Sequence, residues 1–244
     1  MLISNAQQIA AYNDNLNHFW VFDAGITEQL EHLEIQDYQV GGYYVAYIDN
    51  GSNLKVYHSG KKKVLLTGNP IKYTASDFLL TYSLYEQLNV YDAGEEKVLS
   101  TQCDGYLATD SMVAFHNRIS QNLQIYYKGR IYTIEDGLIY NPLNSYSMGD
   151  NTAVWHRSST NELKLFYQGE ILILDDYADS PVFKAGRDIV AFYDQPDQTF
   201  TIFYQGEYYD VETFIPKSFE VGDECCAWID NMGRLKFFDQ GEVL

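Results

Sequence analysis

Cysteine is scarce in this chain, three residues in 244, which excludes a fold stapled by disulfides. Cys225 and Cys226 are neighbours on a predicted strand, so their side chains point to opposite faces and a mutual bridge would be strained. With Cys103 distant in sequence, buried free thiols are the expectation. Basic residues are also few: 16 Lys and Arg stand against 34 Asp and Glu, a formal charge of −18. A field of that sign repels phosphate backbones and anionic lipid, so nucleic acid is not expected as a partner and cationic partners are favoured. No apolar run is long enough to span a bilayer, and membrane insertion is not expected. The opening residues, 1–8, lack the basic and apolar regions of a signal peptide. The sequence assigns no compartment; a soluble, extracytoplasmic domain of a longer bacterial protein is compatible with it.

Catalytic and cofactor motifs are missing too. There is no Gly-rich phosphate loop, His-Glu-x-x-His pair, paired-Cys zinc site or Gly-x-Ser-x-Gly elbow. The expectation is a protein that is not an enzyme and holds no cofactor or metal. Among the five histidines only His116 and His156 fall at equivalent places, with Arg118 and Arg157 close behind. Asn50-Gly51-Ser52 fits a glycosylation sequon and reads more simply as a turn.

What the chain does have is aromatic side chains, with 22 Tyr, 13 Phe and 3 Trp, and an internal repeat. An apolar pair or triplet ends in an aromatic at Tyr12, Tyr47, Tyr82, Phe115, Trp155, Phe192 and Trp228, at spacings of 35, 35, 33, 40, 37 and 36 residues. Each anchor is followed 12 to 14 residues later by a glycine: Gly25, Gly60, Gly94, Gly129, Gly169, Gly206 and Gly241. Before these glycines lie alternating runs such as Leu54-Lys55-Val56-Tyr57 and Leu163-Lys164-Leu165-Phe166, whose period of two marks strands. The Xaa-Gly pair that follows folds the chain straight back into a hairpin. One complete copy reads as strand A at 182–185, strand B at 189–193, strand C at 200–204 and strand D at 207–211. Segment 27–34, the one stretch that could be helical, falls by register on strand D of the first copy.

Seven four-stranded antiparallel units of about 35 residues, each apolar on both faces, cannot bury those faces alone. Stacking them and closing the stack does so. The expected fold is therefore all-β: a seven-bladed β-propeller forming one domain over 1–244, with blades at approximately 1–35, 36–70, 71–104, 105–143, 144–180, 181–216 and 217–244. An open solenoid would need polar end caps, which the first and last copies do not show. Strand A of the first blade is expected at 2–5. The turns before strand B include Gly149-Asp150, Gly186-Arg187-Asp188 and Gly222-Asp223, with Ser76-Asp77 and Thr109-Asp110 as variants. In that layout the chain resembles TolB-like and other short-blade bacterial propellers, although their Trp-Ser-Pro-Asp-Gly turn is absent. The resemblance spans the whole chain as architecture and carries over no functional residues.

By analogy with other propellers, the D-to-A links and B-to-C loops open on one face where ligands dock. The longest link, 135–144, carries Leu138, Ile139 and Tyr140. Asp104, Arg118, Arg157, Asp175, Tyr177, Asp194 and Tyr85 are the neighbouring candidates; Leu138 and Ile139 could instead tuck inward. The acidic run from Asp175 to Asp179 fails the calcium-loop spacing. Aspartates before strand B are expected to satisfy local backbone donors. The functional expectation is a non-catalytic binding or scaffold module for a protein or peptide partner. A carbohydrate-binding, lectin-like propeller is the alternative, because tyrosine and tryptophan faces stack on sugar rings.

Overall fold

The computed structural model describes residues 9–68, 71–139 and 143–244. Strands make up the structure, and a 3₁₀ turn at Leu143–Ser145 is the one helical element among the described residues. The chain divides into two compact units, Met1–Ile139 and Tyr140–Leu244. Each unit is a succession of antiparallel sheets whose strands pair in chain order.

Among the described residues, the first unit holds four sheets. The first comprises Ile9–Asn13, Phe19–Asp23 and Ile26–Glu31; the second Asp37–Val40, Tyr44–Ile48, Asn53–His58 and Lys61–Thr67. The third runs through Ile71–Ala75, Leu79–Leu84, Gln87–Asp92 and Glu95–Ser100, and the fourth through Cys103–Ala108, Met112–Asn117, Asn122–Tyr127 and Arg130–Glu135. The described residues of the second unit form three. They are Tyr146–Met148, Thr152–Arg157, Glu162–Tyr167 and Glu170–Asp175; Phe183–Ala185, Ile189–Asp194, Thr199–Tyr204 and Glu207–Glu212; and Ser218–Val221, Cys225–Ile229, Leu235–Asp239 and Glu242–Val243. Four strands, A to D, were expected in every copy, yet the first sheet has three among the described residues. The pairing Tyr12↔Trp20 matches Tyr47↔Lys55 and Trp228↔Lys236, which makes the three strands B, C and D. The A strand expected at 2–5 lies outside the described residues. Segment 27–34 is strand, not helix, over Ile26–Glu31.

Local chemistry explains the repeat. Every C-to-D connection is an Xaa-Gly pair with both residues at positive φ, as in Gln205 at 50° and Gly206 at 96°. That is the geometry of the two-residue hairpin whose twist matches the strands it joins. B-to-C loops use another device. Asp49 Oδ1 accepts the backbone N–H groups of Gly51 and Asn53 at 2.9 Å each, so Asn50-Gly51-Ser52 is a turn. Asp14 and Asp230 do the same for the residues two and four places on. The pairing of C with D slips by one residue at the same place in the first six sheets, for example between Leu163 and Lys164, which adds twist to strand D.

Within each unit, sheets pack face to face. In the first, Phe19 and Val21 of one sheet bury against Val45 and Tyr47 of the next. In the second, Phe200 and Ile202 bury against Trp228 and Phe238. A buried aromatic with a polar end needs a partner, and the preceding sheet supplies it: Tyr47 Oη donates to Glu31 at 2.8 Å and Trp228 Nε1 to Glu212 at 3.0 Å. A lysine on strand C joins the same carboxylate in each case, Lys55 on Glu31 and Lys236 on Glu212. At the A-to-B turns the backbones themselves meet. A Cβ on Gly149 would fall on the Gly186 carbonyl, and one on Gly186 would fall on the Gly222 carbonyl. Arg187 ties these turns together, with Nε on Asp150 at 3.0 Å and Nη2 on Asp223 at 3.3 Å. Aspartate before strand B thus holds neighbouring sheets together, as Asp110 Oδ1 also does by accepting the Asp77 N–H at 3.0 Å.

Gly186→Ala should therefore force these turns apart and cost about 1–3 kcal/mol, the usual penalty for overpacking a site that cannot relax. Denaturant unfolding followed by Trp fluorescence measures it. An unchanged midpoint would show that the backbone contact is not tight.

Candidate functional site

The expected site residues fall into separate groups. In the second unit, Asp175 ends strand D of the fifth sheet and Asp194 ends strand B of the sixth. Asp175 is buried and spans the two sheets: Oδ1 accepts the Tyr177 N–H at 2.8 Å and Oδ2 the Gln195 N–H at 3.3 Å. The Gln195 side chain completes the staple, with Oε1 accepting the Asp179 N–H and Nε2 donating to the Asp179 carbonyl. Ala178 is buried and its N–H donates to Asn161, so the acidic loop is pinned at its middle. Tyr177 stays exposed.

These loops border a cleft of about 410 Å³ lined by Ile173, Leu174, Asp175, Asp176, Asp194, Pro196 and Asp197. Four of those residues are carboxylates and none is basic. The Asp194 carboxyl is pushed above the ordinary aspartate range by burial first, and then by the negative charges of Asp175, Asp197 and Asp210; the Asp197 N–H bonded to it acts the other way. Among the described residues, no three His, Cys, Asp or Glu side chains are grouped to hold a metal ion. Arg157 ends strand B of the fifth sheet and is not one of the residues lining the cleft.

In the first unit, Asp104, Leu138 and Arg118 form a different arrangement. His116 is buried; its Nδ1 lies 2.8 Å from Asp104 Oδ1, and its Nε2 lies 2.9 Å from the Leu138 carbonyl. Each ring nitrogen thus has an oxygen acceptor within hydrogen-bond distance. The Leu138 N–H in turn donates to Gln121 at 2.7 Å. The ring therefore anchors the long link to its own sheet, and Leu138 is half-buried while Ile139 is exposed. At the equivalent place in the fifth sheet, His156 Nε2 is buried without a hydrogen-bond partner. Arg118 pairs with Glu86 at 2.8 Å on the surface, and Glu86 and Asp104 both line a small cleft of about 160 Å³. Tyr140 lies outside the described residues.

One feature had no counterpart in the sequence reading. Tyr43, Tyr44, His58, Phe78, Tyr91 and Asp92 surround a cleft of about 280 Å³ in the first unit. Tyr43 and Phe78 are both more than half exposed, with ring centres 5.9 Å apart. Below them Tyr44 donates to the Ser76 carbonyl, and His58 Nδ1 lies 3.0 Å from Tyr91 Oη. A signal was present in Tyr43 and Phe78, each an aromatic four residues ahead of an anchor, Tyr47 and Tyr82.

Comparison with known proteins bears on the fold. The family model described as "10-bladed beta propeller domain" matches residues 3–244. That match corrects the seven-bladed ring expected from the repeat, because the family's ring has ten blades while seven sheets are described here. Repeat spacing counts sheets along a chain. The number that closes a circle depends on the angle between packed sheets, which spacing does not encode. No curated protein matches the chain. Among solved structures, the computationally designed Ika8 protein aligns at 14% identity over 99% of this chain and 84% of its own, with a TM-score of 0.40. Yeast RCC1 (Prp20), solved with Kap60, aligns at 9% over 84% and 70%, TM-score 0.42. The CRINKLY WD40 ectodomain of the Arabidopsis thaliana receptor kinase ACR4 aligns at 8% over 98% and 93%, TM-score 0.42. Similarity at this level carries nothing to the clefts.

If the charges of the acidic cleft act on one another as described, Asp197→Asn lowers the Asp194 pKa while leaving the backbone N–H contact in place. Carboxyl-carbon NMR titration of both proteins reads the shift. An Asp194 titration unmoved by the substitution would mean that burial alone raises it.

Proposed function

This chain belongs to the 10-bladed β-propeller domain family, matched over residues 3–244, and we propose that it acts as a non-catalytic binding module for a protein or peptide partner, which it engages through a cationic segment in the cleft of Asp175, Asp176, Asp194 and Asp197. The observation that carries the proposal is the single sign of charge lining the cleft: four carboxylates, no basic lining residue and one carboxyl whose pKa is raised by burial and by its acidic neighbours. Like charges held together raise each other's energy, and an incoming Lys or Arg relieves that cost. The overall charge of −18 steers such a partner from a distance. Tyr177, exposed beside the cleft and held by its backbone to Asp175, offers an apolar face to the stem of a long basic side chain. Buried histidine chemistry does not compete with this reading, because His116 spends both ring nitrogens on Asp104 and Leu138.

A carbohydrate ligand is the second reading, favoured by one observation. Tyr43 and Phe78 are exposed side by side over a cleft that also presents His58 and Asp92, a combination of flat apolar surface and polar groups that suits a sugar ring.

Fluorescence anisotropy with a labelled oligolysine peptide tests the first reading. Binding should weaken as salt rises, and Asp194→Asn with Asp197→Asn should reduce affinity about tenfold, the equivalent of ~1.4 kcal/mol. Equal affinity of the double variant, or no binding at low salt, would reject the acidic cleft as the site. Binding to a glycan array, lost on Tyr43→Ala, would support the sugar reading in its place.

A further inference from the structure

The aromatic cleft of the first unit lies between its second and third sheets, at the strand ends where A-to-B turns and C-to-D hairpins gather. Docking was expected at the other end, among B-to-C loops and D-to-A links. Register shows that the repeat does not demand these rings. Tyr44 pairs with His58, the last residue of strand C, and Tyr43 stands one place before it. By the same pairing, the next five sheets place Phe78, Ser111, Asn151, Asp188 and Glu224 there. Two adjacent sheets therefore carry an exposed aromatic where the later copies carry polar side chains. The last residue of strand C departs as well. The fourth, fifth and sixth sheets end that strand with Tyr127, Tyr167 and Tyr204. The second and third end it with His58 and Asp92, smaller side chains that leave the gap between their sheets open.

We propose that this cleft binds a quaternary ammonium group, with the rings supplying π faces and Asp92 the opposite charge. The rings are set for it. Tyr43 and Phe78 tilt 31° from each other at the mouth, and behind them Tyr91 meets Tyr44 at 71° and His58 at 82°. Rings at steep angles make a concave wall, so a cation inside lies over more than one face. Hydrogen-bond accounting then selects a cation without N–H groups. His58 and Tyr91 engage each other, Tyr44 donates to the Ser76 carbonyl, and Asp92 accepts the Tyr126 hydroxyl at 2.6 Å. A sugar ring or a primary ammonium would need those same groups for its own donors, whereas a quaternary ammonium has no donor to satisfy. The surrounding charge has the right sign. No Lys or Arg lines the cleft, and Lys63, which acts on Tyr91 from nearby, is paired with Glu96 at 2.6 Å. The Tyr44 hydroxyl is pushed above the ordinary tyrosine range by burial first, and then by the charges of Asp110 and Asp77, against its bond to Ser76. A volume of about 280 Å³ is near the lower end for small-molecule sites and suits one such headgroup. The group has two sources, a free choline-like molecule or a trimethylated lysine on a peptide. Neither depends on the acidic cleft, whose residues belong to the second unit.

Isothermal titration calorimetry on the full chain decides the matter, with choline set beside the neutral alcohol in which carbon replaces its nitrogen. Choline should bind, and the neutral analogue about tenfold more weakly, because the two differ in charge and not in shape. Tyr43→Leu and Phe78→Leu each keep apolar bulk but remove a ring, and each should weaken choline binding about fivefold. Both positions are exposed, and circular dichroism checks that the variants remain folded. A peptide carrying trimethyllysine, run beside the same peptide with unmodified lysine, separates the two sources. Preference for the methylated peptide over choline assigns a lysine side chain, and preference for choline assigns a free ligand. Equal binding of choline and its neutral analogue, choline affinity untouched by both substitutions, or no binding of either cation at millimolar concentration would overturn the proposal. Glycan binding lost on Tyr43→Ala, with no binding of choline, would give the cleft to a sugar instead. Asp194→Asn with Asp197→Asn should leave choline binding unchanged, so failure at the acidic cleft and failure here are told apart.

Discussion

A sheet that is apolar on both sides must be covered on both sides, and the rest of this structure follows from that constraint. Each copy of the repeat alternates residues so that one set, such as Phe19 and Val21, faces forward and another, such as Tyr47 and Tyr57, faces back. Burial at about 25 cal/mol per Å² rewards stacking, and the strand length and hairpin turns set the size of what is stacked. Polar groups then select among ways of stacking. Glu31 and Glu212 each receive an aromatic donor and a lysine from the following sheet, contacts that a slipped register would lose.

The same constraint determines where chemistry can reside. Strand interiors are committed to packing, so charge concentrates where strands end and loops begin. Asp175 and Asp194 are the last residues of their strands, one place beyond the apolar run. One of them serves structure by capping Tyr177 and Gln195, and the other is left in a field of like charge. That repulsion is the cost which the proposed cationic partner would relieve. His116 shows the opposite outcome, in which a titratable group at a loop base is consumed in holding the loop.

The aromatic anchors, the Xaa-Gly hairpins and the alternation between them were legible because each is local: a period of two, a positive φ, a fixed separation. Asp175, Tyr177 and Asp194 were legible as candidates because acidic and aromatic residues in loops stand out against apolar strands. The convergence of Asp175 and Asp194 on one cleft was not, since they lie 19 positions apart and only the packing of two sheets brings them together. Arg118 and Arg157 each follow closely on one of the equivalent histidines, yet Arg118 reaches Glu86 on a neighbouring sheet, a relation that no spacing reveals. Tyr43 and Phe78 were overlooked because aromatics beside anchors resemble more core.

By itself, then, the order of residues determined the all-β class, the seven sheets seen among the described residues and the positions of their turns, because those depend on contacts between near neighbours and on backbone angles. Tertiary structure decided which faces are covered, which carboxylates meet and which histidine is spent. The family match decided the size of the ring. These depend on the angle at which one sheet lies on the next, a property of many side chains packed together that no single stretch of sequence carries.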